Sequence, residues 1–361
     1  MNHTETLAQE RIRTSALQRI IGSPATPALL VLLIALSMAS IKLARFHFDP
    51  ISFVLIDGSF VHLLARSFPS LDVPMDVPAY RAQRILLSAL AAPFGPYEAW
   101  ALIGLNVLSL VAGTYALARL AVRHRMPAIL GAFFGLWIGA LFVVEMDLTE
   151  VLAYGLVLWG ILCWEADRRL LAGLLCGLAV LAKETTVLYG IAFLLAGGSW
   201  DWRARLRFGV LALGPGLIWQ LVLLLTFGET GITAAGTRGA PAEHMLPIVG
   251  LLGATTVADW AWGVQIMWVL VPSLAALLWG GYLLWVERFP PVGWALIANG
   301  LFVISLPGAS TNYMAHSARI GLAVVVALAW AIVRTRRPLL GLAALGLALA
   351  PLALFRVETY F

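Results

Sequence analysis

The chain has 361 residues, of which 61% are hydrophobic and 12% are charged, and its mean hydropathy is +0.90. Soluble domains carry about 25% charged residues, so this composition excludes an ordinary soluble protein and indicates a polytopic membrane protein. The net charge of +5 requires no nucleic-acid partner, because arginines at helix ends face the anionic inner leaflet. Cys163 and Cys176 lack the spacing of a disulfide or metal site, so we assign them neither role.

Apolar runs long enough to cross a bilayer follow one another along the sequence. We expect an all-α membrane protein with about eleven transmembrane helices, in which residues 1–361 form a single transmembrane domain. The predicted spans are residues 26–45, 98–120, 127–144, 150–165, 169–182, 185–198, 208–227, 264–286, 292–306, 318–333 and 338–355.

The distribution of arginine predicts the orientation of these spans. If residues 1–25 form a cytoplasmic N-terminal segment, most basic residues fall in inner loops, including those at 119–125, 203–207 and 334–337. An excess of Lys and Arg marks the cytoplasmic side of a membrane protein. We therefore expect an integral protein of the inner (cytoplasmic) membrane whose outer loops face the periplasm or exterior.

Two long outer loops are expected, at residues 46–97 and 228–262. Within the first, residues 59–66 and 84–92 are apolar at helical spacing but too short to span the bilayer. Short amphipathic helices of this kind lie in the plane of the membrane interface. The first loop is therefore predicted to carry two interfacial helices joined by a Pro-containing turn at 69–74.

Ionisable residues collect on the predicted outer side, whereas the inner loops carry mainly arginines. A charged pair such as Lys183-Glu184, between two spans with almost no loop, must face protein or a water-filled cavity. The ionisable residues that can converge on an outward-facing site are Asp57, Arg81, Arg84, Glu145, Asp147, Glu150, Lys183, Glu184 and Arg319, with Arg238 as a further candidate.

These residue types suit one kind of chemistry. A carboxylate at the interface can act as a general base toward an acceptor hydroxyl, and arginines can bind a phosphate bidentately. A Glu-x-Asp pair facing another Asp is able to hold a divalent cation such as Mg²⁺ or Mn²⁺. Together they predict sugar transfer from a polyprenyl-phosphate donor.

The order of motifs in the first loop also carries a family resemblance. Asp57-Gly58 follows the first helix, and Tyr80-Arg81-Ala82-Gln83-Arg84-Ile85-Leu86 opens an apolar interfacial stretch. This order resembles the GT-C superfamily of integral-membrane glycosyltransferases, in particular the bacterial members that use polyprenyl-phosphate sugars. The resemblance covers the first 200 residues and, more weakly, the end of the chain. One departure is Val61-His62 after Phe60, where the family often has an aromatic pair.

The resemblance implies a role for each residue. Asp57 would be the catalytic base or a metal ligand, and Glu145 and Asp147 would be the second acidic pair that binds the cation. The residues expected to bind the lipid phosphate or position the donor are Arg81, Arg84, Lys183, Glu184 and Arg319. The implied partners are a polyprenyl-phosphate sugar, membrane lipids and an acceptor glycan, lipid or protein.

Simpler interpretations stand beside these. Asp57 can be a solvated cap of the helix that follows it, Arg81 and Arg84 can lie among lipid phosphates, and Lys183-Glu184 can be a structural ion pair. For the whole chain, a lipid or solute transporter and a non-catalytic subunit of a membrane complex are the alternatives. A transporter typically has broken helices around a site near the midplane.

Overall fold

The computed structural model describes residues 22–55, 57–196, 201–236, 266–288, 290–306 and 314–354, and within these ranges every regular element is helical. This confirms the all-α prediction. The predicted N-terminal segment before residue 22, Ile56 and most of the second outer loop, from residue 237 onward, lie outside the described residues.

The first half of the chain contains α1 (Ala25–Arg45), α2 (Gly58–Ser67), α3 (Pro78–Ala82), α4 (Ile85–Ala91), α5 (Glu98–Arg123), α6 (Ala132–Gly135), α7 (Ile138–Glu145) and α8 (Glu150–Glu165). The second half contains α9 (Arg169–Ala182), α10 (Val187–Leu195), α11 (Trp202–Phe227), α12 (Gly231–Gly236), α13 (Val271–Val286), α14 (Pro291–Ile304), α15 (Met314–Arg334) and α16 (Pro338–Leu354). Short 3₁₀ turns precede α5, α6 and α10.

Several of these helices have the length and composition of membrane spans. Within the described ranges, five qualify: Ala25–Arg45, Ile85–Arg123, Trp202–Phe227, Trp268–Val286 and His316–Arg334. A sixth span results if Ala128–Gly135 and Ile138–Glu145, which are bent by 51° at their junction, cross the membrane together. The chain is therefore a helical membrane protein. The predicted number of eleven spans is not confirmed, because α9, α10 and α14 are apolar but shorter than a typical span.

The helix α15 lies at the centre of the bundle, and α11 lies at its periphery. Of the spanning window of α15, 83% is buried, compared with 22% for α11. On α15, small and β-branched residues pack against α7, α14, α13, α5 and α8. On α11, Leu217, Ile218 and Leu225 are exposed, as expected of a helix that faces lipid.

Close packing between α9 and α11 depends on glycine. A Cβ atom built on Gly177 would lie 2.1 Å from the carbonyl oxygen of Leu211, and one on Gly173 would lie 3.1 Å from that of Phe208. The two glycines are four residues apart and form the small-xxx-small pattern that lets membrane helices approach each other closely. This contact joins α11 to α8 through α9, which packs against both.

We expect Gly177→Ala to separate α9 from α11, because the added methyl group meets backbone that has no room to yield. The predicted loss of stability is about 1–3 kcal/mol, measured as a lower midpoint of thermal unfolding in detergent. Gly104→Ala on α5 is the matched control, since no atom lies within 4 Å of the added Cβ. Equal effects of the two substitutions would refute this account of the contact.

One end of the bundle carries a charged group that we call the Glu165 cluster: Arg123, His124, Glu165, Glu287, Trp330 and Arg334. The carboxylate of Glu165 lies 3.5 Å from Nε2 of His124 and accepts a hydrogen bond from Nε1 of Trp330 at 3.2 Å. Arg334 joins Glu165 to Glu287, which follows α13. The cluster thus connects the ends of α5, α8, α13 and α15.

Candidate functional site

Asp57 stands directly before α2, at the position where a capping residue is expected. Its carboxylate makes no capping hydrogen bond to the helix. Instead, Oδ1 accepts a hydrogen bond from Nη1 of Arg81 at 2.5 Å, and Oδ2 accepts one from Nη2 of Arg319 at 3.4 Å. The arrangement differs from the solvated cap, because two arginines from distant parts of the chain hold the side chain.

The residue after Asp57 explains how α2 reaches this position. A Cβ atom on Gly58 would lie 2.1 Å from the carbonyl oxygen of Met146. Only glycine allows the first turn of α2 to rest on the loop between α7 and α8. The Asp-Gly pair therefore has a physical reason: the glycine brings the aspartate close to the start of α8.

We expect Gly58→Ala to push α2 away from Met146 and to weaken the contact of Asp57 with Arg319. The predicted cost is about 1–3 kcal/mol, seen as a lower thermal midpoint. The control is Gly281→Ala on α13, where no atom lies within 4 Å of the added Cβ. An unchanged midpoint for Gly58→Ala would show that the loop yields and that the glycine is not needed.

Three further pairs surround Asp57. Arg84 binds Glu184 through two hydrogen bonds of 2.9 Å, one from Nε and one from Nη2. Lys183 Nζ lies 3.0 Å from Oε1 of Glu150, and Nε of Arg319 lies 3.4 Å from the same oxygen. We call this group the charged cluster: Asp57, Arg81, Arg84, Glu150, Lys183, Glu184 and Arg319.

The charged cluster unites segments that are far apart in sequence. Asp57 and Arg319 are 262 positions apart, and Arg84 and Glu184 are 100 positions apart. On α11, Nε1 of Trp219 donates to the carbonyl oxygen of Ala82 at 2.9 Å. This bond fixes the end of α3, where Ala82 lies between Arg81 and Arg84 in the sequence. The cluster contains four cations and three carboxylates. Asp76, whose side chain is 46% exposed, binds Arg81 from the rim.

A narrow cleft opens onto the cluster. Its lining residues are Asp57, Phe60, Val61, Tyr80, Arg81, Arg84, Leu148, Thr149 and Glu150, and its free volume is about 20 Å³. That volume holds about one water molecule. The guanidinium of Arg81 lies 4.1 Å from the ring centre of Phe60, and that of Arg84 lies 5.2 Å from that of Tyr80. The aromatic rings therefore orient both arginines at the wall of the cleft.

The charges of the cluster keep its loop carboxylates ionised. Burial raises the pKa of Asp57, but the nearby charges of Arg319, Arg84 and Arg81 outweigh this effect and hold the pKa below its ordinary value. For Glu184, burial is likewise outweighed by Arg84 and Lys183, which lower the pKa to about 2. A carboxylate bound to arginines in this way is a weak proton acceptor until a guanidinium leaves it.

Buried side-chain atoms of the cluster have unused hydrogen-bonding capacity. Arg319 is 7% exposed and Glu150 is 2% exposed, so both are as buried as core residues. Nε and Nη1 of Arg319 and Oε2 of Glu150 nevertheless make no hydrogen bond within the described residues.

 Buried polar atoms normally find a partner, and an exception calls for an explanation. Glu150 lines the cleft, whereas Arg319 does not and contacts two of its lining residues, Asp57 and Glu150.

The predicted metal pair, Glu145 and Asp147, is engaged elsewhere. Nζ of Lys42, on α1, lies 3.2 Å from Oε2 of Glu145, and Nδ2 of Asn106, on α5, lies 3.4 Å from Oδ1 of Asp147. Burial raises the pKa of Asp147 to about 8. In the part of the chain that the structure describes, no three His, Cys, Asp or Glu side chains form a metal-binding group. The divalent cation therefore stays a prediction, and no step below uses it.

The remaining predicted site residues come together in the charged cluster. They are Asp57, Arg81, Arg84, Lys183, Glu184 and Arg319. Glu150, which was a candidate from the sequence without an assigned role, bridges Lys183 and Arg319. His316, which was not among the candidates, lies within electrostatic range of Asp57 and Glu150. Its position three residues before Arg319 was the available signal, because such residues share a helix face.

Comparison with known proteins adds no assignment. No protein-family model, curated protein or solved structure matches the chain.

Proposed function

We propose that the chain is a membrane glycosyltransferase of the GT-C type, which transfers a sugar from a polyprenyl-phosphate donor to an acceptor on the outer face of the membrane. The observation that carries the proposal is the convergence of four cations and the Asp57 carboxylate in one cluster, of which Asp57, Arg81 and Arg84 line a cleft. Arginines suit the phosphate of such a donor because their guanidinium groups bind it bidentately.

In the proposed reaction, the acceptor hydroxyl attacks the anomeric carbon of the donor sugar. The bond between that carbon and the phosphate oxygen breaks, and the polyprenyl phosphate leaves with the electron pair. Asp57 takes the proton of the attacking hydroxyl. Arg81, Arg84 and Arg319 stabilise the negative charge that develops on the leaving phosphate, while Lys183 and Glu184 position the donor.

The proposal includes a topology. The charged cluster lies at the first turns of α8 and α15, whereas the Glu165 cluster lies at their last turns. Glu165 lies fifteen positions after Glu150 on α8, a distance of about 22 Å at 1.5 Å per residue. With a cytoplasmic N-terminus and eleven crossings of the inner membrane, the charged cluster faces the periplasm or exterior and the Glu165 cluster faces the cytoplasm. The acceptor is then a glycan, a lipid or a protein on the outer side.

A transporter is the second candidate, and one observation favours it. The 51° bend between α6 and α7 is a broken helix of the kind found in transporters. At the break, however, Nε1 of Trp137 donates to the carbonyl oxygen of Ala318 at 2.7 Å, and the neighbouring side chains are buried and apolar. The charged residues lie at helix ends instead, which favours the transferase.

The test is a turnover assay of the purified protein with a panel of polyprenyl-phosphate sugars. We expect one donor to release polyprenyl phosphate in proportion to the sugar that is transferred. Movement of lipid or solute across proteoliposomes without release of polyprenyl phosphate would support the transporter. The absence of both activities in a folded preparation would support a non-catalytic subunit.

A further inference from the structure

Each cation of the charged cluster already has a carboxylate partner from another segment. Asp57 is the carboxylate that joins two of them, Arg81 on α3 and Arg319 on α15. With these contacts in place, the cleft holds about one water molecule. Arg81 lines this cleft, whereas Arg319 does not and contacts the lining residue Asp57. A phosphate group therefore cannot reach both arginines until Asp57 has given them up.

We propose that Asp57 is a built-in competitor of the phosphate ligand: it binds Arg81 and Arg319 in the empty site, and the phosphate of the donor displaces it. This inference rests on the proposed binding of a polyprenyl phosphate at the charged cluster. The geometry of Arg319 supports this proposal. Its Nη2 donates a hydrogen bond to the carboxylate of Asp57, whereas its Nη1 is buried and has no acceptor within the described residues.

The displacement has a chemical consequence. Once the phosphate holds both arginines, the carboxylate of Asp57 loses two of the three positive charges that make it a weak base. It becomes able to accept the proton of an acceptor hydroxyl only after the donor has bound. Donor binding thus activates the base, and an empty site has little capacity to deprotonate a stray nucleophile.

The inference predicts that removal of the competing charge strengthens binding. Asn and Ser both suit the position before a helix, so Asp57→Asn and Asp57→Ser are two independent neutral variants. The probe is farnesyl phosphate, titrated by calorimetry against the full chain in detergent. We expect both variants to bind farnesyl phosphate about tenfold more tightly than the wild type. In the wild type, the phosphate must first break the charged hydrogen bonds between Asp57 and the arginines, and breaking one such bond lowers the affinity by about that factor.

Asp76→Asn is the matched control. Asp76 binds the same guanidinium of Arg81 through Nε and Nη2, but its side chain is 46% exposed. Its removal leaves Asp57 in contact with both Arg81 and Arg319, so this variant should change the affinity far less than the Asp57 variants do. Farnesol, which lacks the phosphate, should bind all four proteins alike.

The outcomes separate the two proposals. Tighter binding by both Asp57 variants and not by Asp76→Asn supports the displacement. Equal or weaker binding by the Asp57 variants overturns it, while wild-type binding of farnesyl phosphate leaves the proposed function standing. If the wild type binds inorganic phosphate as tightly as farnesyl phosphate, and the Asp57 variants bind both more tightly, the displacement is supported and the lipid donor is contradicted. If no protein binds either probe, both proposals fail.

Discussion

Replacement of Asp57 by Asn is expected to reduce turnover by about 10²–10⁴-fold, the usual contribution of a general base. Asn keeps the size of the side chain and one oxygen that accepts a hydrogen bond from Arg81 or Arg319, so the variant should still fold and insert into the membrane. The measurement is the rate of polyprenyl-phosphate release at saturating donor, which removes any difference in affinity.

Asp72→Asn is the control for this substitution. Asp72 belongs to the same outer loop, is exposed, and has no place in the charged cluster. We expect it to retain wild-type turnover. Wild-type turnover in Asp57→Asn, with both proteins folded, would remove Asp57 from the mechanism.

Glu150→Gln is expected to lower stability by about 3–5 kcal/mol, the cost of removing one partner of a buried ion pair. The side chain of Glu150 is 3% exposed and lies beside Lys183 and Arg319. The amide leaves these two cations without the carboxylate that offsets their burial. Thermal unfolding in detergent should therefore show a large fall in the midpoint.

Glu287→Gln, in the Glu165 cluster, is the matched control. Glu287 is paired with Arg334, but its side chain is 34% exposed, so the expected loss is about 0–1 kcal/mol. A second variant, Lys183→Met combined with Glu150→Gln, should recover part of the stability because it removes an unpaired buried charge. Equal losses for Glu150→Gln and Glu287→Gln would mean that the cluster is hydrated rather than buried.

Local sequence patterns predicted the helices of the first loop well. The apolar spacing at 59–66 and 84–92 corresponds to α2 and α4, because helical periodicity is a local property. The number of spans was harder to predict. Apolar stretches such as α9 and α14 have 14 residues each, and composition alone does not decide whether so short a helix crosses a bilayer.

All members of the charged cluster were among the candidates from the sequence, but their pairings were not predicted. Lys183 and Glu184 are neighbours, and one interpretation of the sequence was that they form a structural ion pair. Lys183 has an extended backbone, with φ −153° and ψ 114°, and successive side chains of an extended segment point in opposite directions. They therefore reach Glu150 and Arg84 instead. Pairings across 33 and 100 positions depend on how the helices pack, which no local pattern specifies.

The most direct test of the central claim, that the charged cluster binds a polyprenyl phosphate, is photo-crosslinking. A polyprenyl phosphate with a photoreactive group next to the phosphate would be added to the purified wild-type protein, and the labelled peptides would be identified by mass spectrometry. The account predicts labelling of the cleft residues Phe60, Tyr80 or Thr149, and its loss in the presence of excess unlabelled polyprenyl phosphate. Labelling confined to the lipid-facing surface of α11 or to the Glu165 cluster would contradict it.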